Sequence, residues 1–396
     1  MVPKSLDQFN FSDKRVLIRV DFNVPLDQGL RITDTKRISE SLKTINFILE
    51  AGGKVILMSH LGRPKGKVIL EYSLKPIYEY LKDVLNTNVL FIDNCIGNKV
   101  VTIIDSMKKG DVLLLENLRF HKEEEENNID FSKKLASLCD IYINDAFGTS
   151  HRAHSSTEGI THFVKEKGIG FLLQKELKYL GDTIKNPARP FIAILGGSKV
   201  SGKIDVILSL LKKCDSIIIG GGMIFTFFKA IGKNVGNSLI EIDKIDLAKE
   251  IIIKAKESNV NLYFPVDVII SDKFSNESLI QTVNVDNIPD GWMGLDIGEK
   301  SIKLFSDIIL TAKTIIWNGP MGVFEMSNFE QGTKKISEAL VEATNNGSLT
   351  IVGGGDSAAA ITKFGFEHSV SHVSTGGGAS LEFLEGKLLP GVLALD

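Results

Sequence analysis

Short runs of β-branched and aliphatic residues alternate with amphipathic stretches almost from one end of this chain to the other. Arg15-Val16-Leu17-Ile18-Arg19-Val20, Val55 to Met58, Val89 to Ile92, Val112 to Leu115 and Ile141-Tyr142-Ile143 read as strands covered on both faces. Between the first two, Ile38, Leu42, Ile45 and Leu49 lie on one stripe of a helix that Gly52-Gly53 would stop. Such alternation implies parallel sheets with crossover helices. A helical segment from Phe171 to Asn186, ended by Pro187 and Pro190, interrupts the series. The series then resumes with Phe191 to Leu195, Ser216 to Ile219, Leu262 to Phe264, Thr314 to Trp317 and Thr350 to Val352. The expected fold class is therefore α/β, two doubly wound, Rossmann-like parallel-sheet domains joined by a hinge helix, and 396 residues suffice for both.

In such sheets ligands sit beyond the carboxyl ends of the strands, and the polar motifs of this chain fall there. In the first half Arg19, Asp21, Asn23, His60, Arg63, Arg119 and Arg152, with Arg37 at a helix start, gather guanidinium forks that match phosphate and carboxylate oxygens. A single arginine reads as a surface charge or an ion pair; several at strand ends imply a small, anionic, hydroxylated ligand, with Asp21 and Asn23 suited to its hydroxyl. The acidic run Glu123 to Glu126 reads as a solvated face.

In the second half two glycine triplets, Gly353-Gly354-Gly355-Asp356-Ser357 and Ser374-Thr375-Gly376-Gly377-Gly378-Ala379, are each expected to open a helix and to cradle phosphate. Gly196-Gly197-Ser198-Lys199-Val200-Ser201-Gly202-Lys203-Ile204 nearly matches a Walker A loop. Ile204 stands where a Mg²⁺-binding hydroxyl is needed, so a P-loop NTPase is set aside. Lys199 and Lys203, four apart, would present two cations from one side of a helix start. Asp356 is either a helix cap or a carboxylate facing Mg²⁺ on a nucleotide. Glu325 offers an acceptor for ribose, Asn318 begins a polar loop after a strand, and Gly220-Gly221-Gly222 would let a flat base approach closely.

Net charge of -3 gives no general attraction to nucleic acid or anionic membranes. The most apolar stretch, Ile217 to Phe228, is too short to span a bilayer, and Cys95, Cys139 and Cys214 lie far apart, as packing thiols of a cytosolic, cytoplasmic protein would.

Taken together, Arg19 to Pro25, Ser59-His60-Leu61-Gly62-Arg63-Pro64, Glu116 to Phe120, Asp145 to Thr149, His151-Arg152-Ala153-His154, Gly196 to Val200, Trp317 to Pro320, Gly353 to Ser357 and Ser374 to Ala379 resemble the motifs of phosphoglycerate kinases over essentially the whole chain. That resemblance implies reversible phosphoryl transfer from 1,3-bisphosphoglycerate to Mg-ADP, giving 3-phosphoglycerate and ATP, by a monomer whose hinge bends. It implies a 3-phosphoglycerate-binding domain at 1–170 with 381–396 packing back on it, a connector at 171–187 and a nucleotide-binding domain at 188–380. Asp21, Asn23, Arg37, His60, Arg63, Arg119 and Arg152, with Arg19, would hold the glycerate. Lys199, Lys203, Gly220, Gly221, Gly294, Asn318, Glu325, Gly354, Gly355, Asp356 and Ser357 would hold the nucleotide, with Asp356 toward Mg²⁺. Arg37, Lys199, Gly376, Gly377 and Gly378 would meet the transferred group. Glu299, where the family commonly has proline or a small residue, departs from the pattern. A non-catalytic phosphate-binding module would explain the glycine loops but not the separate arginines, and no Gly-x-Gly-x-x-Gly for a dehydrogenase follows the first strand.

Overall fold

In the computed structural model, which describes residues 3–396, the chain divides into two units. The first runs to Leu177 and regains Leu388–Asp396; the second is Lys178–Lys387.

The first unit carries β1 (Arg15–Val20), β2 (Lys54–Met58), β3 (Val89–Ile92), β4 (Val112–Leu115), β5 (Ile141–Asp145) and β6 (Glu166–Ile169). They form one six-stranded sheet in the order β3-β4-β2-β1-β5-β6, and every pairing is parallel. Alternate residues reach one face: Val16 pairs with Val55 and Ile141, Ile18 with Leu57 and Ile143, and all are buried in one apolar core. The helix Lys36–Glu50 covers that face through Ile38, Ile45 and Ile48, with Leu42 and Leu49 at its margin. It stops as the sequence predicts, with Gly52 at φ 78° and its N–H on the Leu49 carbonyl.

Gly168 explains why β6 escapes the sequence pattern. A Cβ there would stand 2.5 Å from the Lys4 carbonyl, whose oxygen the neighbouring Ile169 N–H bonds.

The expected connector helix is helical throughout, α at Phe171–Glu176, π at Leu177–Asp182 and α again at Thr183–Lys185. Asp145, at the end of β5, anchors its start by accepting from the Leu172 and Leu173 N–H groups at 2.9 and 3.1 Å. Burial pushes this carboxyl up to about 7, against those hydrogen bonds.

The returning tail is shorter than expected. Residues 381–387 stay with the second unit because Leu384 is buried there and its carbonyl accepts from Ser209 Oγ at 3.0 Å. The tail proper docks on the first unit, where Asn144 Nδ2 donates to the Gly391 carbonyl and Lys167 Nζ to that of Ala394.

The second unit carries β7 (Phe191–Leu195), β8 (Ser216–Ile219), β9 (Asn261–Tyr263), β10 (Asp267–Ser271), β11 (Ile280–Asn284), β12 (Met293–Ile297), β13 (Thr314–Asn318), β14 (Leu349–Gly353) and β15 (His372–Val373). A six-stranded parallel sheet runs β15-β14-β13-β7-β8-β9, and β11-β10-β12 form a separate antiparallel sheet. The antiparallel sheet is an addition to the doubly wound plan. Its edge strand β11 is mostly exposed and shows no apolar run. Among the described residues no helix is long and apolar enough to cross a membrane.

Candidate active site

Parallel pairing brings the ends of β1, β2, β4 and β5 to one edge of the first sheet. Just past β1, buried Asp21 receives Arg37 Nη1 at 2.8 Å and the Asn23 N–H at 3.3 Å. The loops after β1 and β2 are tied together: Phe22 N–H donates to Ser59 Oγ at 2.8 Å, and Gly62 N–H to Asn23 Oδ1 at 2.9 Å. Arg119 is buried, donates Nη1 to the Gly62 carbonyl at 2.9 Å and keeps its Nε 3.4 Å from Glu125. Arg152 is half-buried with Nε on His151 Nε2 at 3.1 Å, and Arg63 is exposed.

Cations outnumber the carboxylates beside them. Burial first, then Arg19, Arg119 and Arg37, hold the His60 imidazole well below its ordinary range, so it is neutral at physiological pH. Burial lowers Arg119 as well; Glu125 opposes this, and the charges of Arg19 and Arg152 add to it.

Two expectations are corrected in this unit. Arg19 is fully buried, with Nε on Ser156 Oγ at 2.8 Å, Nη1 on the Val20 carbonyl and Nη2 3.3 Å from His60 Nδ1. A strand residue wholly inside the sheet with its nitrogens engaged by protein orients its neighbours and does not face a ligand. Glu124 is no solvated charge: it is fully buried against Ser156, while Glu125 pairs with Arg119.

In the second unit the loops after β7, β8 and β13 pack backbone to backbone. Gly197 N–H donates to the Pro320 carbonyl, Gly221 N–H to that of Met321 and Met223 N–H to that of Gly197, each at 3.0 Å. They floor a cavity of about 760 Å³. Its walls are Leu239, Phe274, Met293, Val323 and Met326, and Glu325 and Asp356 stand exposed among its lining residues. Gly294 also lines it and packs against the Phe225 ring behind, which a Cβ there would strike at 2.0 Å. Gly220 packs in the same way on the Met321 sulfur.

Both glycine triplets open helices, Gly355–Lys363 after β14 and Gly378–Leu384 after β15. Their caps are Gly354 at φ 91° and Gly377 at φ 52°, and neither start has a side-chain cap. N–H donors at these starts are left for an anion, with Gly376 N–H turned back on Ser374 Oγ at 3.1 Å. Asp356 is therefore not the helix cap; it lies in the first turn. Ser357 is buried and its hydroxyl accepts from the Gly319 N–H, which ties the helix start to the loop after β13. Trp317 supports the same turn, donating Nε1 to the Gly319 carbonyl at 2.7 Å.

The paired-lysine expectation also changes. Lys199 is exposed, whereas Lys203 tucks its ammonium onto Asn318 Oδ1. Burial brings Lys203 down to about 8, with Asp356 opposing.

The sequence model of the phosphoglycerate kinase family matches residues 6–387. The chain belongs to the phosphoglycerate kinase family. Phosphoglycerate kinase of Chloroherpeton thalassium is 56% identical over 396 residues, covering 100% of both chains. The chloroplastic phosphoglycerate kinase 2 of Arabidopsis thaliana is 55% identical over 399 residues, 100% of this chain and 83% of that one. Among solved structures, phosphoglycerate kinase from Coxiella burnetii superposes with a TM-score of 0.89 at 41% identity, covering 99% of this chain and 98% of that one. The enzyme from Pyrococcus horikoshii gives 0.86 at 30% identity, covering 100% and 98%.

Phosphoglycerate kinases are phosphotransferases with a carboxyl group as acceptor, and that is the reaction class of this chain. What sequence reading misses in this phosphoglycerate kinase fold is apolar. Leu239 and Phe274 are 50% and 61% exposed on loops yet line the cavity. An exposed aromatic on a loop is the only signal that pointed there.

Proposed function

We propose that the first unit holds 3-phosphoglycerate or 1,3-bisphosphoglycerate at Asp21, Asn23, Arg37, His60, Arg63, Arg119 and Arg152, and that the second holds ADP or ATP in its 760 Å³ cavity. The observation that carries this reading is the division between the units. One gathers cations around a neutral imidazole and a buried carboxylate; the other combines an apolar slot with uncapped glycine-rich helix starts. Gly220, Gly221 and Gly294 flank the base, Glu325 meets the ribose, and Lys199, Lys203, Asn318 and Gly354 to Ser357 meet the phosphates.

The nucleophile in the ATP-consuming direction is the substrate carboxylate, ionised already at neutral pH, so the chain supplies no general base. Arg37, Lys199 and the N–H groups of Gly377 and Gly378, presented by the turn at Gly376, neutralise the charge of the phosphoryl group in flight, with attacking and leaving oxygens in line. Among the described residues no three His, Cys, Asp or Glu side chains converge as a metal cage, and one exposed carboxylate, Asp356, suits a Mg²⁺ that arrives on the nucleotide phosphates. There Mg²⁺ would add positive charge beside the β- and γ-oxygens. We place the enzyme in the cytoplasm as a monomer.

Two results test this assignment. Only the ammonium form of Lys203 attracts phosphate, and burial holds it near 8. ADP affinity therefore falls as pH rises from about 7 to 9, and Lys203→Met abolishes the fall. A flat titration of the parent protein removes Lys203 from the site. Because the two ligands occupy separate units, transfer requires the connector to bend and close them together away from water. Small-angle scattering is expected to show a smaller radius of gyration with both ligands than with either alone. No compaction would sink the closure step.

A further inference from the structure

The protonation of His60 Nδ1 depends on two neighbours. Arg19 Nη2 stands 3.3 Å away, and a guanidinium nitrogen only donates, so toward Arg19 the Nδ1 atom accepts. Asp21 Oδ1 stands 3.8 Å away, past hydrogen-bond reach, and toward it Nδ1 would have to donate. The first arrangement puts the single proton of the neutral ring on Nε2, whose N–H can be given to an anion. The second leaves Nε2 with a lone pair, which repels one.

Arg19 is held in place from behind. Its Nε donates to Ser156 Oγ at 2.8 Å, which leaves the Ser156 hydroxyl proton to point at Glu124 Oε1, 2.6 Å away. The Ser156 N–H donates to Glu124 Oε2 at 3.0 Å, so both carboxylate oxygens are in use. Glu124 is fully buried, which raises its carboxyl above the ordinary range, and the charge of Arg19 and the Ser156 hydrogen bonds oppose that rise. His154 Nδ1, at 3.9 Å, is too far to compete for it.

We propose that Glu124 is a positioning residue for His60: through Ser156 it holds Arg19 against Nδ1, keeps the imidazole proton on Nε2 and so readies that N–H for the glycerate ligand. The last clause rests on the proposed placing of the substrate at His60; the tautomer is a property of the ligand-free protein.

Glu124→Gln preserves the shape but removes the charge and leaves one acceptor where there were two, so the Ser156 hydroxyl and the Ser156 N–H can no longer both donate to this side chain and the hold on Arg19 loosens. The test is a long-range proton–nitrogen correlation spectrum of ¹⁵N-histidine-labelled protein at neutral pH, together with steady-state kinetics. The parent should show His60 protonated at Nε2. Glu124→Gln should shift the population toward Nδ1–H and raise KM for 3-phosphoglycerate by about tenfold with a smaller change in kcat. Ser156→Ala cuts the same chain in the middle and should reproduce the shift even where Glu124→Gln fails to fold. A parent protonated at Nδ1, or variants that lose only thermal stability while the His60 signals stay put, would overturn the proposal. A shifted tautomer with unchanged KM, repeated by His60→Ala, would overturn the substrate placing and leave the tautomer control standing.

Discussion

Arg37→Ala is expected to lose turnover by ~100- to 1000-fold with little change in unfolding temperature. The guanidinium sits at the start of the helix Lys36–Glu50, its side chain 32% exposed, and Asp21 orients it through Nη1. Arg37 is about a third exposed and Asp21 is buried, so losing the pair costs on the order of 1 kcal/mol of stability, held down because Asp21 keeps the Asn23 N–H when the arginine is removed. A donor poised for the transferred phosphoryl group acts where charge develops, and its loss falls on kcat. Arg37→Lys should recover only part of the loss, because one ammonium replaces a planar fork. Steady-state kinetics with calorimetry of the same preparations decides the matter. Near-normal turnover in Arg37→Ala removes the residue from the mechanism.

Gly221→Ala carries the largest expected effect on stability. Its backbone sits at φ 67°, where a side chain costs roughly 1–2 kcal/mol. A Cβ would also lie 2.4 Å from the Gly197 nitrogen, 2.6 Å from its oxygen and 2.8 Å from the Pro320 oxygen. These are backbone atoms tied to one another by the hydrogen bonds that floor the cavity, so no flexible side chain can yield. The expected cost is about 3 kcal/mol or more, and the second unit should melt roughly 6 to 12 °C lower, with ADP binding weakened as the floor distorts. Gly202→Ala is the control: no atom lies within 4 Å of a Cβ there. Equal melting temperatures for the two variants would show that the loops rearrange freely and that the floor is not rigid.

The alternation of buried strands with stripe-bearing helices is legible because a parallel strand covered on both faces has nothing but apolar residues to show, as Val112 to Leu115 does. Where burial is one-sided or shared, the signal fails. β11 is exposed, β15 is two residues long, and β6 contains a glycine demanded by the crossing of Lys4. Polar residues at strand ends announce a site by their number, but sequence position does not say which way a side chain turns. Arg19 and Glu124 both carry charge, and both point inward. Lys199 and Lys203 look equivalent by spacing; one is exposed and the other is half-buried with its ammonium on Asn318. The cavity walls, Leu239 and Phe274 among them, come from loops whose convergence only the fold brings about.

The central claim is most directly tested by ATP- and Mg²⁺-dependent phosphorylation of 3-phosphoglycerate by the purified protein, coupled to glyceraldehyde-phosphate dehydrogenase, with acetate and glycerate as alternative acceptors. Turnover confined to 3-phosphoglycerate is the predicted result, since the arginines of the first unit must read the phosphate as well as the carboxylate. Equal turnover of glycerate, or none of 3-phosphoglycerate while both ligands bind, would contradict it.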